Sequence, residues 1–333
     1  MKKVLSLILA LAMVFALAAC GEKQPSNDGN TDGDKPTRGN VIMTFGTADT
    51  GGSMYPAGAA VSQVWTNNVQ GVKCNTQTST GSFQNCQDVS TGEVDVAVAT
   101  SDVVLNAYNG TGKFADIGKL DNLRVIGAVY TSVLSGVALK SSGLTYIHDL
   151  LGKRVAVGPA ASATENATLA AFAAMDITKD NTSLENLGLG DGADSVGDGI
   201  LDAAFGFAGL PIGGQLNLAA TKEIQVLDMT QEEIDKVLAG NAAYIQTTIP
   251  AGTYTGQTET TNTFGVKCLI IVTADMDADL VYDLCKAMNE HTEELAAGNA
   301  LLKDMTDPSF LCTQMPIPLH DGAQKYYSEQ GLI

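Results

Sequence analysis

"FGTADTGGSMYP", residues 45–56, is the stretch whose reading decides the fold. The apolar run Val41-Ile42-Met43 leads through Thr44 to Phe45, and Gly46, Gly51 and Gly52 then alternate with Thr47, Asp49, Thr50 and Ser53. A strand therefore ends in a bare, hydroxyl-rich turn. A helical pattern follows over 55–69, with Tyr55, Ala59, Val61, Val64 and Trp65 forming a broad apolar face. Such a turn is either a tight reversal or a seat for a small polar group. The first N–H groups of a helix lack intrahelical acceptors and carry the positive end of its dipole, so an anion is favoured there.

The same logic returns further along. "DLLGKRVAVGPAASAT", residues 149–164, again gives a strand, a Gly-Pro turn and a hydroxyl-bearing helix start. Strands read over 41–45, 72–77, 93–100, 123–130, 135–141, 201–211 and 264–276. Helices read over 82–90 and 166–175, after Asp102, and from Asp277 onward, where Val281, Leu284, Met288 and Leu295 share one face. This alternation predicts an α/β protein of two units. Glycine-and-hydroxyl turns at 46–53, 79–82, 158–164 and 206–214 all lie at strand ends, where open α/β sheets hold their ligands.

The expected architecture is two lobes facing across a cleft, 41–138 plus 266–333 against 139–265. Two long strands connect the units. The candidate ligand contacts follow from the turns. The first contributes Thr47, Asp49, Thr50, Gly51, Gly52 and Ser53, with Tyr55 beside it. The second contributes Thr80, Gly81 and Ser82, and the next strand end Thr100, Ser101 and Asp102. Ser162, Thr164 and Gly209 come from the other lobe. Tyr130 and Tyr254 have two readings, as cleft walls or as ordinary packing.

The N-terminal segment reads separately. Lys2 and Lys3 precede an apolar run over 4–19 that closes in Leu17-Ala18-Ala19-Cys20. It is short for a spanning helix and fits a lipoprotein signal over 1–19, with Cys20 as the acylated residue. Two or more acyl chains make a lasting anchor. An ordinary signal followed by a chance Cys is the alternative. Residues 20–40 hold almost no apolar side chain and read as a disordered tether. The expected location is extracytoplasmic, held to the membrane only through the lipid.

With 19 Lys and Arg against 37 Asp and Glu, the formal net charge is −18. That field repels nucleic acid and anionic membrane surfaces. The three Arg residues, Arg38, Arg124 and Arg154, stand outside the glycine turns. Carboxylate recognition by a bidentate Arg is thus not expected, and backbone N–H groups and hydroxyls take that role. Beyond Cys20 there are Cys74, Cys86, Cys268, Cys285 and Cys312, without C-x-x-C or zinc spacing. They read as buried thiols, with a Cys74–Cys86 bridge open.

Motifs for catalysis or metal binding fail on inspection. Gly51-Gly52-Ser53-Met54-Tyr55 ends in Tyr where a nucleophile elbow needs Gly. "NGTGKF", 109–114, has Ala107 for the first P-loop Gly and Phe114 for the Ser or Thr. Asp28, Asn30, Asp32 and Gly33 begin an EF-hand loop whose twelfth residue is Gly39, without the bidentate Glu. Neither enzyme, cofactor nor metal site is expected.

Seven stretches stand in order: "GTADTGGSMYPAGAAVSQ" (46–63), "TGSFQN" (80–85), "GEVDVAVATSDV" (92–103), "AYNGTGKF" (107–114), "GKRVAVGPAASAT" (152–164), "TIPAGTYTGQ" (248–257) and "PIPLHDGAQKYY" (316–327). Together they resemble the TAXI family, the solute-binding subunits of certain TRAP transporters. The resemblance implies a two-lobed type II periplasmic-binding-protein fold whose lobes are joined by the strands 135–141 and 264–273, which absorb a hinge rotation, a monomer, a sodium-driven membrane permease as partner, and a small acid such as glutamate or 2-oxoglutarate as solute. The family usually has glycines at the positions of Ala48 and Asp49, Gln at Thr100, and glycines near Ala161 and Ala163. Asp49 has two readings: capping the turn in solvent, or facing the cleft and calling for an amino group on the ligand. An ABC importer as partner, or a surface sensor with the same fold, are the alternative functions.

Overall fold

In the computed structural model, residues 39–50 and 52–333 are described. The signal over 1–19, Cys20, the tether as far as residue 38 and the candidate contact Gly51 lie outside them.

The chain begins with strand β1 (Val41–Gly46), helix α1 (Met54–Asn68), β2 (Val72–Gln77), α2 (Ser82–Thr91), β3 (Val96–Thr100) and α3 (Ser101–Asn109). β3 is Val-Ala-Val-Ala-Thr and is buried at every position, as a parallel strand covered on both faces must be. α1 buries Met54, Ala57, Val61, Val64 and Trp65, one stripe at helical spacing. The Trp65 ring stacks on Phe45 at 5.5 Å, and its Nε1–H donates to Leu284 O at 3.0 Å.

β4 (Leu123–Leu139) is one strand of 17 residues. The sequence reads two strands there, because Thr131 and Ser132 interrupt the apolar run. Ser132 is nonetheless buried, with its Oγ 3.0 Å from Cys268 Sγ on the neighbouring strand, so the polar step does not break the ladder. The second half holds β5 (Arg154–Ala156), α4 (Ala163–Ala174), β6 (Ser183–Glu185), α5 (Leu189–Gly197), β7 (Ala203–Ala208), α6 (Gly213–Thr221) and β8 (Ile224–Val226). Then come α7 (Gln231–Gly240), β9 (Ile245–Ile249), β10 (Thr261–Thr273), α8 (Ala278–Glu290), α9 (Thr292–Gly298), α10 (Pro308–Cys312) and α11 (Asp321–Glu329).

The strand order is β2-β1-β3-β10-β4-β7-β5-β6. β1 pairs in parallel with β2 and β3, and β5 with β6 and β7. β10 lies antiparallel beside β3, and β4 antiparallel beside β7. The sheet is thus two copies of one pattern, 2-1-3-10 and 6-5-7-4, and the fold is the two-lobed type II periplasmic-binding-protein fold. β4 and β10 pair with each other and run through both lobes.

The cores show where the lobes part. Val129 and Tyr130 of β4 and Cys268 of β10 pack with Trp65, Leu284 and Met288. Leu134 of β4 and Phe264 and Val266 of β10 pack with Phe172 and Phe205. The changeover in β4 therefore lies between Tyr130 and Val133, ahead of the 135–141 segment read as a hinge. At that crossing a Cβ on Gly265 would stand 2.5 Å from Ser132 O, so the two strands meet backbone to backbone.

All five cysteines among the described residues are buried and free, and no Cys74–Cys86 bridge forms. Burial pushes the Cys74 thiol up to about 11 and the Cys268 thiol to about 12, so both stay protonated. Among the described residues no helix is long and apolar enough to cross a membrane.

Candidate ligand-binding cleft

The carboxyl ends of β1 and β2 in one lobe, and of β5, β6 and β7 in the other, converge on one cavity of about 550 Å³. That size suits a small organic ligand. Four helices begin at its edge: α1, α2, α4 and α5. Each brings first-turn N–H groups without intrahelical acceptors.

Thr47 sits behind the first turn and fixes it. Its N–H and its Oγ1 both donate to Gln77 O, each at 2.8 Å, which ties the end of β1 to the end of β2. Asn85 of α2 donates from Nδ2 to Thr47 O at 2.6 Å and Val98 O at 2.7 Å and accepts at Oδ1 from Ser79 Oγ at 2.6 Å, so β1, β3 and the turn after β2 share one buried amide. The α2 N-cap is Gly81 at φ 112°, a backbone region that side chains rarely adopt. In the other lobe Gly158 has φ +96°, and a Cβ there would fall 2.5 Å from Thr164 Cγ2. Both turns thus require glycine for their shape.

The cavity is lined by eight of the residues expected from the sequence. Asp49, Gly52 and Ser53 come from the first turn, Thr80, Gly81 and Ser82 from the second, and Ser162 and Thr164 from the start of α4. Several of their hydroxyls already serve the protein. Ser82 Oγ accepts from Thr100 N–H at 3.0 Å. Ser162 Oγ caps α4 by accepting from Glu165 N–H at 3.1 Å and donates to Pro159 O at 2.7 Å. Thr164 Oγ1 accepts from Phe207 N–H at 3.2 Å.

The other expected contacts lie off the lining. Thr47 is fully buried behind the turn, and Thr100 is buried beneath Ser82. Thr50 is exposed and Tyr55 half-buried, both outside the lining. Ser101 opens onto a separate groove with Ala243 and Lys267. Gly209 faces Ser53 instead of the cavity: its N–H donates to Ser53 Oγ at 3.1 Å, from one lobe to the other. Of the tyrosines, Tyr130 lines the floor. Tyr254 is buried elsewhere, its hydroxyl donating to Gln215 Oε1 at 2.8 Å.

Asp102 is fully buried and bridges the lobes. Its Oδ2 accepts from Asn166 Nδ2 at 2.7 Å and from Tyr244 OH at 3.2 Å. Burial raises its pKa, against the hydrogen bonds from Thr100, Val103, Asn166 and Tyr244. Lys113 Nζ meets Glu165 Oε2 at 2.5 Å across the same boundary. Burial would raise Glu165, but hydrogen bonds from Lys113, Ala161 and Asn186 outweigh it and hold the carboxyl below its usual range. These contacts, with Ser53–Gly209, join the two lobes across the cleft.

The sequence reading missed the turn at Gly188, Leu189, Gly190 and Asp191, which lines the cavity from α5. It is the counterpart of 79–82, since β6 stands to β5 as β2 stands to β1. The glycine run "LGLGDG" (187–192) was its signal, but β6 is only Ser-Leu-Glu and announces no strand. Met54, Pro159, Phe207 and Ala208 were also missed as walls. Among the described lining residues there is no Lys, Arg or His; Asp49 and Asp191 are the charged ones. Among the described residues no group of three or more His, Cys, Asp or Glu could hold a metal ion.

Residues 45–331 match the model of the NMT1-like family. Among solved structures, PhnD1 from Prochlorococcus marinus, in complex with methylphosphonate, is 10% identical with a TM-score of 0.54, over 88% of this chain and 99% of that one. That likeness is one of fold. The alkanesulfonate-binding protein SsuA from Xanthomonas axonopodis pv. citri, bound to MOPS, is 15% identical with a TM-score of 0.47, over 88% and 85%. A putative L-cystine ABC transporter protein from Listeria monocytogenes is 16% identical with a TM-score of 0.47, over 80% and 96%.

Proposed function

The chain belongs to the NMT1-like family, and on that premise we propose that it is an extracytoplasmic solute-binding protein that captures a small acid between its lobes and delivers it to a membrane transporter. The observation that carries this reading is the mirrored convergence of strand ends and four helix N-termini on one cavity. An anionic head is held there by backbone N–H groups and helix dipoles. Lobes of 41–130 plus 268–333 and of 133–266 move against each other, with the rotation taken up where β4 and β10 change cores.

For the membrane partner, an ABC importer fits the findings better than the sodium-driven TRAP permease that the TAXI resemblance implies. A lipid anchor at Cys20 remains part of the reading through the Leu-Ala-Ala-Cys junction alone. The test is a thermal-shift screen of the soluble chain against a broad library of small acids. A solute at 100 times its Kd should add about 2.7 kcal/mol of stability. A library in which nothing stabilises the protein would contradict the proposal.

A further inference from the structure

The cavity has two properties that an anion site alone does not explain. Its walls are largely apolar, from both lobes: Met54 and Tyr130 from one, Pro159, Leu189, Phe207 and Ala208 from the other. Met54, Tyr130, Phe207 and Ala208 are themselves buried, so these walls are set by the core and do not swing away. Second, the described lining carries no cationic side chain, while Asp49 and Asp191 add two carboxylates from opposite lobes. Lys113, which lines a small neighbouring pocket with Ser162, is paired with Glu165.

A glutamate-like or 2-oxoglutarate-like solute fits this poorly. One carboxylate can take the helix N-termini, but the second must leave water for an apolar wall or approach an aspartate. A charge buried without a partner is strongly disfavoured. An apolar side chain in the same place gains from burial on Phe207, Leu189 and Met54. An α-ammonium gains from the carboxylate of Asp191 or Asp49, which a 2-oxo group does not.

Resting on the reading of the chain as a solute-binding protein, we infer that the solute is a monocarboxylic α-amino acid with an apolar side chain. Its carboxylate sits at the helix N-termini, its ammonium faces Asp191 and Asp49, and its side chain lies against Tyr130, Phe207 and Leu189.

Titration calorimetry with leucine, methionine, phenylalanine, the 2-oxo acid of leucine, glutamate and 2-oxoglutarate tests this. At least one apolar amino acid should bind about 100-fold more tightly than glutamate, the difference that an unpaired second carboxylate imposes. Leucine should bind about 10-fold more tightly than its oxo acid, and Asp191→Asn should weaken leucine without weakening the oxo acid. Equal or tighter binding of glutamate or 2-oxoglutarate, or preference for the oxo acid, would overturn the inference while leaving a solute-binding protein. So would silence from all six compounds. The solute-binding reading itself falls only if the broad library is silent as well.

Discussion

Ala160→Trp should abolish solute binding and leave the protein folded. Ala160 lies in the turn between Gly158 and α4, lines the cavity and is exposed. An exposed turn position tolerates a larger side chain, and such substitutions usually change stability by no more than about 0.5 kcal/mol. A bulky indole there would stand in space that a solute must occupy in a cavity of about 550 Å³. The expected loss of affinity is at least about 100-fold, or ~2.7 kcal/mol. Calorimetry with the ligand found by screening measures it, and a melting curve on the same sample shows whether the fold survives. Undiminished binding to the folded variant would place the solute elsewhere.

The largest effect on stability is expected from Trp65→Ala. Trp65 is completely buried on α1, stacked on Phe45, with its indole N–H on Leu284 O. Truncation removes the ring, leaves a cavity between the sheet and α8, and removes the indole hydrogen bond to a helix carbonyl. Trp→Ala substitutions of this kind cost about 3–5 kcal/mol, a large share of a total that is typically about 5–15 kcal/mol. Urea unfolding should show a much lower midpoint with little change in slope. A loss under about 1 kcal/mol would mean that α1 is not packed on β1 as described. Because Phe45 stands just before the first cleft turn, the same cavity also loosens one jaw.

What could be read from the sequence was what the backbone needs locally. Strands β1 and β3 announce themselves as apolar runs, and the turns after β1, β2 and β5 carry the glycines that their geometry demands. The lobe pattern followed from that alternation. What could not be read depends on partners far along the chain. Ser132 looks like a strand break until Cys268, 136 residues away, is placed beside it. Asp102 looks like a helix-opening ligand contact until Asn166 and Tyr244, 64 and 142 residues on, close over it. Ser162 and Ser82 look like ligand donors, and they line the cavity, but their hydroxyls cap a helix and hold a strand end. The Gly188 turn went unread because β6 is too short and polar to mark it.

The central claim is that two lobes close on a solute held between them. Ser53–Gly209, Lys113–Glu165 and Asp102–Asn166 join the two lobes across the cleft. The most direct measurement is small-angle X-ray scattering of the soluble chain with and without saturating ligand. The radius of gyration should fall on adding ligand, as domain closure about a hinge requires, and should not fall for Ala160→Trp. A radius unchanged at saturation, with binding confirmed on the same sample, would contradict the claim.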